Sequence, residues 1–263
     1  MHDTTTVPAF QKLPVELLYE IQSLALSESL PYTCKHFHMV FKAAPSSVRA
    51  HYLIQRYMSN QTTSTIAQGV VSKALRFPLC TQDVLQRMIE SLDCPPLRLA
   101  NPELPRRLFR SLAPAFSDKR GHRWTDHDEP LPFLRYMYSH PTIPAPNPDS
   151  HDGYALTKAV YAGFIPLVQF LLDHGASPAC KNGLAAMIAI RHKDLPLLKM
   201  LVERKDPPRV ATKAKRRKLE DRMQVTPEML TLAVKGDARD IVQYLTEKGC
   251  IPDMQTLKLL ARA

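Results

Sequence analysis

Three stretches of this 263-residue chain carry residue types that do chemistry. Cys34-Lys35-His36-Phe37-His38 brings a thiol and two imidazoles together. Zinc needs three or four converging nitrogen or sulfur ligands. On a helix Cys34 and His38 share a face while His36 points away, and no second ligand cluster lies nearby, so no metal site is expected. His122 to Glu129 mixes imidazoles and carboxylates, the groups of acid–base catalysis. That stretch is charged and proline-flanked, and no G-x-S-x-G nucleophile turn accompanies it. Its Trp124, the single tryptophan, reads as an anchor for the loop or as a partner contact. The third stretch is the basic run Lys213, Lys215, Arg216, Arg217 and Lys218. It has two readings: a run that suits a nuclear-import receptor or a phosphate-rich partner, or a solvated insertion with no partner. No aromatic residues interleave with it, which argues against direct reading of nucleic acid.

Composition supports a non-enzymatic chain. Of eight glycines, six (153, 163, 175, 183, 236, 249) fall at or after position 153, and no phosphate-cradling G-x-G-x-x-G or G-x-x-x-x-G-K is present. No cofactor is expected. Apolar content of 44% predicts a mostly folded chain, and the length suits one or two domains. Net charge is +10, of which +6 lies between Arg204 and Arg222. A charge confined to one segment is a weaker sign of nucleic-acid binding than a basic face spread over a fold. The five scattered cysteines suit reduced thiols rather than a disulfide framework. No basic-then-apolar leader opens the sequence, and no apolar run approaches membrane-spanning length. The expected location is cytoplasmic or nuclear, with no membrane partner.

The elements that would position these groups are helical. Residues 1–12 read as a disordered lead-in. Pro14 is placed to open a helix, with Leu17, Leu18, Ile21 and Leu24 as its apolar side. Pro31 opens a second helix carrying Cys34, Phe37, Val40 and Phe41. Pro45-Ser46-Ser47 starts a third, reaching about Met58, so 13–58 form a three-helix unit. Here Leu13-Pro14-x-Glu16-Leu17-Leu18-x-x-Ile21 followed by Cys34-Lys35-x-Phe37 resembles an F-box. The resemblance implies that Leu13, Pro14, Leu17, Leu18, Ile21, Cys34 and Phe37 form the face that docks on the Skp-type adaptor of cullin–RING ubiquitin ligases. The interval from Leu13-Pro14 to Cys34 is shorter than the family's by about one helical turn. Read without the resemblance, the unit is a helical cap on the repeats.

Residues 60–150 read as degenerate helical repeats with proline-rich loops. Helices are predicted over Ile66–Leu75, Thr81–Ser91, Arg106–Phe116 and Leu131–Ser139. The four prolines between His140 and Ser150 exclude a helix there.

Residues 151–263 carry the clearest pattern. A short helix over Ala155–Ala162, a break at Gly163 and a second helix from Pro166 with Leu167, Val168, Leu171 and Leu172 end at Gly175. Leu197, Leu198, Leu201 and Val202 repeat the spacing of those four apolar residues. Ala159, Val168-Gln169, Leu171, Gly175 and Pro178 recur in one register as Ala233, Val242-Gln243, Leu245, Gly249 and Pro252. Such a helix pair cannot bury its own apolar face and needs neighbours. It resembles an ankyrin repeat, whose period is about 33 residues. The spacing from Gly153 to Gly183 is shorter than that, and the next is lengthened by a basic insertion within 204–222. Tyr154-Ala155-Leu156-Thr157 keeps only the leucine of the family's Thr-Pro-Leu-His, so the grip between units is expected to rest on leucines more than on turn hydrogen bonds. Met254–Ala263 would be a final, incomplete helix.

The expected fold is thus all-α, an F-box-like unit followed by an irregular ankyrin-type helical solenoid. The combination resembles fungal F-box/ankyrin proteins. It implies a substrate receptor holding a target protein on its repeat surface for ubiquitin transfer, with no residue of this chain doing chemistry. The alternative is a free-standing ankyrin scaffold with no ligase role.

Overall fold

The computed structural model describes residues 9–60, 63–97, 101–113, 124–204 and 221–260. Among them the protein is all-α, with no β-strand. The chain divides into two compact units. The first comprises Met1–Glu103 with Phe133–Pro146, and the second Leu104–Pro132 with Asn147–Ala263.

The first unit is built on α1 (Val15–Ala25), α2 (Lys35–Lys42), α3 (Ser46–Ser59), α4 (Thr63–Ala74), α5 (Gln82–Glu90) and all but the first two residues of α6 (Leu131–Ser139). Pro14 sits just before α1 with φ −52° and ψ 146°, where its missing N–H leaves no donor unsatisfied. Leu26 closes the helix in the left-handed region, φ 49°, its N–H donating to the Gln22 carbonyl at 2.9 Å. The second helix starts later than its sequence suggests. Pro31 belongs to a single 3-10 turn, Leu30–Tyr32, and Cys34 is extended at φ −154°, so α2 begins at Lys35. Ser27 Oγ accepts the Leu30 N–H and the Thr33 hydroxyl donates to the Leu30 carbonyl, side-chain bonds that favour the turn over a continuous helix.

Only one residue of the expected apolar side of α1 is buried. Leu18 packs with Phe37 and Phe41, flanked by Leu13, Tyr19, Leu30, Cys34 and Val40. Leu17 and Leu24 are exposed, Leu24 at 85%. The larger core lies between α3 and α5, where Leu53 and Ile54 are buried with Val84, Leu85 and Met88. α4 bends at Gly69, whose φ of 71° and ψ of 158° no helix accommodates.

The helix expected over Arg106–Phe116 is a 3-10 turn, Arg106–Phe109, within the described residues. Pro114 bars Ala113 from a comfortable helical conformation, and residues 114–116 lie outside the described ones.

The second unit stacks three helix pairs: α7 (Ser150–Ala162) with α8 (Ile165–Asp173), α9 (Cys180–Arg191) with α10 (Leu195–Val202), and α11 (Pro227–Lys235) with α12 (Arg239–Glu247). α13 (Met254–Leu260) follows. α7 packs on α9, α9 on α11 and α11 on α13, while α8 packs on α10. One hydrogen-bond pattern marks the break inside every pair. The N–H of Phe164, Asp194 and Ala238 donates to the carbonyl of Ala159, Ala189 and Ala233 at 3.0, 3.1 and 3.1 Å. These six-to-one bonds satisfy carbonyls a helix end would leave orphaned. Ala159, Ala189 and Ala233 thus occupy one structural position, in the register of the sequence pattern. Leu167, Val168, Leu171 and Leu172 are buried, as are Leu197, Leu198, Leu201 and Val202. The third pair departs at its last position, where the exposed Thr246 stands in place of the buried Leu172 and Val202 and its hydroxyl donates to the Val242 carbonyl.

The first two pairs open alike. His151, Asp152 and Gly153 are all left-handed, with φ of 57°, 58° and 70°. Lys181, Asn182 and Gly183 repeat this at 51°, 56° and 74°. The grip between units is not left to leucines alone. Asp149 Oδ1 accepts the backbone N–H of Ser177 at 2.8 Å, joining the start of one pair to the start of the next. α13 is held to α11 by a 2.6 Å hydroxyl–hydroxyl bond between Thr256 and Thr231.

Candidate functional site

The seven residues singled out for adaptor docking lie on or beside α1 and α2. Leu18 and Phe37 are buried in the small cluster above, and Leu13, Ile21 and Cys34 are half-buried. Pro14 and Leu17 are exposed. Leu17 and Leu24, two helical turns apart, share one face of α1, and Val15, Tyr32 and Met39 add further exposed apolar surface on these elements. Between α1 and α3 runs a groove of about 670 Å³ lined in part by Glu16, Tyr19, Glu20, Leu24, Val48 and His51. Its two carboxylates beside an open leucine suit an apolar partner carrying positive charge. The sequence pattern holds the stripe on α1 but not its exposure, which depends on whether a neighbouring element covers it.

The other candidate chemistry separates in space or is spent on structure. Cys34 precedes α2 in extended backbone, and His36 and His38 are exposed. Among the described residues no group of three or more His, Cys, Asp or Glu is placed to hold a metal ion. His122 and the basic run at Lys213, Lys215, Arg216, Arg217 and Lys218 lie outside the described residues. Asp126, His127 and Glu129 are exposed, and Asp128 Oδ2 accepts the Thr125 N–H and hydroxyl, closing a turn. Trp124 is the anchor of this segment. Its ring stacks on Phe164 at 4.9 Å and 12°, and its Nε1–H donates to the Ala162 carbonyl at 2.8 Å.

Thiol chemistry is subdued. Burial pushes the Cys94, Cys180 and Cys250 thiols up, and at Cys180 the nearby Asp149 carboxylate adds to the rise. Thiols held protonated are poor nucleophiles.

A polar cluster that sequence reading missed joins Glu203 to Asp221 and Arg222, described residues on either side of 205–220. The Arg222 N–H donates to the Val202 carbonyl at 2.7 Å, its Nη1 to the Leu172 carbonyl at 3.1 Å and its Nε to the Glu203 carbonyl at 3.3 Å. Lys248 Nζ lies 3.1 Å from Asp221 and 3.2 Å from Glu203, and the Tyr244 hydroxyl donates to Glu203 Oε1. Burial, then the bond to Glu203, pushes the Tyr244 hydroxyl well above its ordinary value. Glu203, Asp221 and Arg222 are thereby held at one place.

No family model matches the chain, and neither a curated protein nor a solved structure matches it.

Proposed function

We propose that this chain is a protein-interaction module working as a substrate receptor for a cullin–RING ubiquitin ligase. The N-terminal helices act as an F-box-like unit that docks on a Skp-type adaptor. The helix pairs of the second unit form an ankyrin-type stack whose surface holds a target protein. The observation that carries this reading is the exposed apolar face of α1, Leu17 and Leu24, on a helix that the buried Leu18 anchors. A soluble helix usually turns such residues inward, and an exposed patch rimmed by charge marks an interaction site. The shared register of the three helix pairs supports the second half of the reading, because stacked repeats present extended surfaces for partners. No catalytic role is assigned to any residue.

The test is co-purification of the full chain with a Skp-type adaptor. The wild type is expected to retain it and Leu17→Asp/Leu24→Asp to lose it. Both positions are exposed, so the variant keeps its fold. Failure of the wild type to retain the adaptor returns the chain to a free-standing ankyrin-type scaffold. The basic run supplies a nuclear-import signal on the same reading. A tagged chain with Lys215, Arg216, Arg217 and Lys218 changed to alanine is then expected to lose its nuclear fraction.

A further inference from the structure

A second cavity, of about 640 Å³, opens within the first unit. It is formed by the end of α1, the 3-10 turn, α2, α3 and the Phe77–Leu79 turn between α4 and α5. The volume falls in the range of small-molecule sites, roughly 300–1,000 Å³. Its walls are aromatic: Tyr32, Phe41, Tyr52 and Phe77 all line it.

The polar groups on this wall are unevenly matched. Its carboxylate, Glu28, is already taken by an ion pair with Arg56. Lys42 and Arg49, which also line it, have no acidic partner among the described residues. Arg49 is half-buried and held by its Nε–H bond to the Ala44 carbonyl, 2.6 Å, which leaves the far end of its guanidinium for another acceptor. Gln22 lines the same cavity at only 7% exposure. Its Nε2 donates to the Ser27 carbonyl, while its Oε1 has no hydrogen-bond donor. A buried acceptor left without a donor carries a desolvation penalty.

We infer that this cavity binds a small aromatic carboxylate. The ring lies among Tyr32, Phe41 and Phe77, and the carboxylate meets Lys42 and the guanidinium of Arg49, a group whose fork matches a carboxylate. Leu17 and Leu24 do not line the cavity, and of the exposed apolar residues on the candidate docking elements it shares only Tyr32.

The experiment is calorimetric titration of the full chain with 6-hydroxynaphthalene-2-carboxylate and, in parallel, with neutral 2-naphthol. The acid is expected to bind at least tenfold more tightly, with the advantage shrinking as salt rises. Lys42→Glu and Arg49→Gln are each expected to weaken the acid about tenfold or more while leaving 2-naphthol unchanged. Lys12→Glu makes the same charge change as Lys42→Glu, at an exposed residue outside the cavity, and is expected to bind like wild type. Melting curves establish that each variant is folded. Equal affinity for acid and alcohol, no binding of the acid, or undiminished binding by folded Lys42→Glu overturns the assignment.

Discussion

Asp149 Oδ1 lies 2.8 Å from the backbone nitrogen of Ser177, a hydrogen bond that links the opening of the first helix pair to that of the second. An aspartate in this place would ordinarily cap its own helix. Here it makes no cap bond to α7 and reaches to the next unit instead. In the second pair the same position is Ala179, whose methyl group cannot accept a hydrogen bond to repeat the link. The first junction is therefore tied in a way that the second is not.

Asp149→Ala is expected to destabilise the second unit by about 1.5 kcal/mol, the lower end for a hydrogen bond to a charged group. Asp149→Asn, which keeps an acceptor, should lose less. Urea unfolding followed by Trp124 fluorescence checks both, because this tryptophan stacks on Phe164 within that unit. Both variants also remove the carboxylate that helps hold the Cys180 thiol up. Alkylation of Cys180 near pH 8 should accordingly be faster than in wild type.

Gly153 and Gly175 both have positive φ, 70° and 89°. A methyl group on Gly153 would meet Cys180 Cβ at 2.7 Å, whereas one on Gly175 would meet nothing within 4 Å. Gly175→Ala should lose about 1–2 kcal/mol from the left-handed backbone alone. Gly153→Ala should lose about 1–3 kcal/mol more, the usual penalty for overpacking. Equal losses would show that the contact with Cys180 relaxes freely.

Leu171 is fully buried and Leu24 is 85% exposed. Leu171→Ala is expected to destabilise the second unit by about 2–5 kcal/mol, by lost burial and a residual cavity. Leu24→Ala should stay within about 0.5 kcal/mol, as surface substitutions do. Thermal melts of the two variants give the comparison directly.

Burial lowers the pKa of His192, against an opposing pull from Asp194. The ring packs 6.3 Å from that of Tyr161, over which Lys158 sits. An imidazole with a lowered folded value favours the folded state fully above the unfolded value, about 6.5. That contribution is lost as the pH falls from there through the folded value, because the unfolded chain takes up the proton first. Unfolding midpoints between pH 7 and pH 5 should fall less steeply for His192→Gln than for wild type. Parallel slopes would remove His192 as a source of the pH dependence.

The helices of the second unit were legible because burial there follows the helical period. Leu167, Val168, Leu171 and Leu172 all point inward, and their counterparts Leu197, Leu198, Leu201 and Val202 do the same. The polar ties were not legible. Arg222 finds its acceptor on the distant Leu172, and Asp149 finds Ser177, with no periodicity to announce either. On the candidate docking face the pattern showed that Leu17, Leu18, Ile21 and Leu24 are apolar. It did not show that Leu18 alone would be fully covered, since that depends on where Phe37 and Phe41 fall after the turn at Leu30–Tyr32. The cavity beside Gln22 draws on several separate stretches of chain, which no single window of sequence brings together.

The three left-handed residues that open each of the first two helix pairs have a consequence for chemical synthesis. At His151, Asp152, Lys181 and Asn182 the backbone runs with the opposite hand to that of an ordinary L-residue. A mirror-image amino acid prefers that hand, for the same steric reason that an L-residue resists it. D-alanine at exposed Asp152 or Asn182 should therefore stabilise the fold, while one placed mid-helix at Leu171 should wreck it. The chain thus holds, at matched points of two successive helix pairs, sites where chirality can be inverted to advantage.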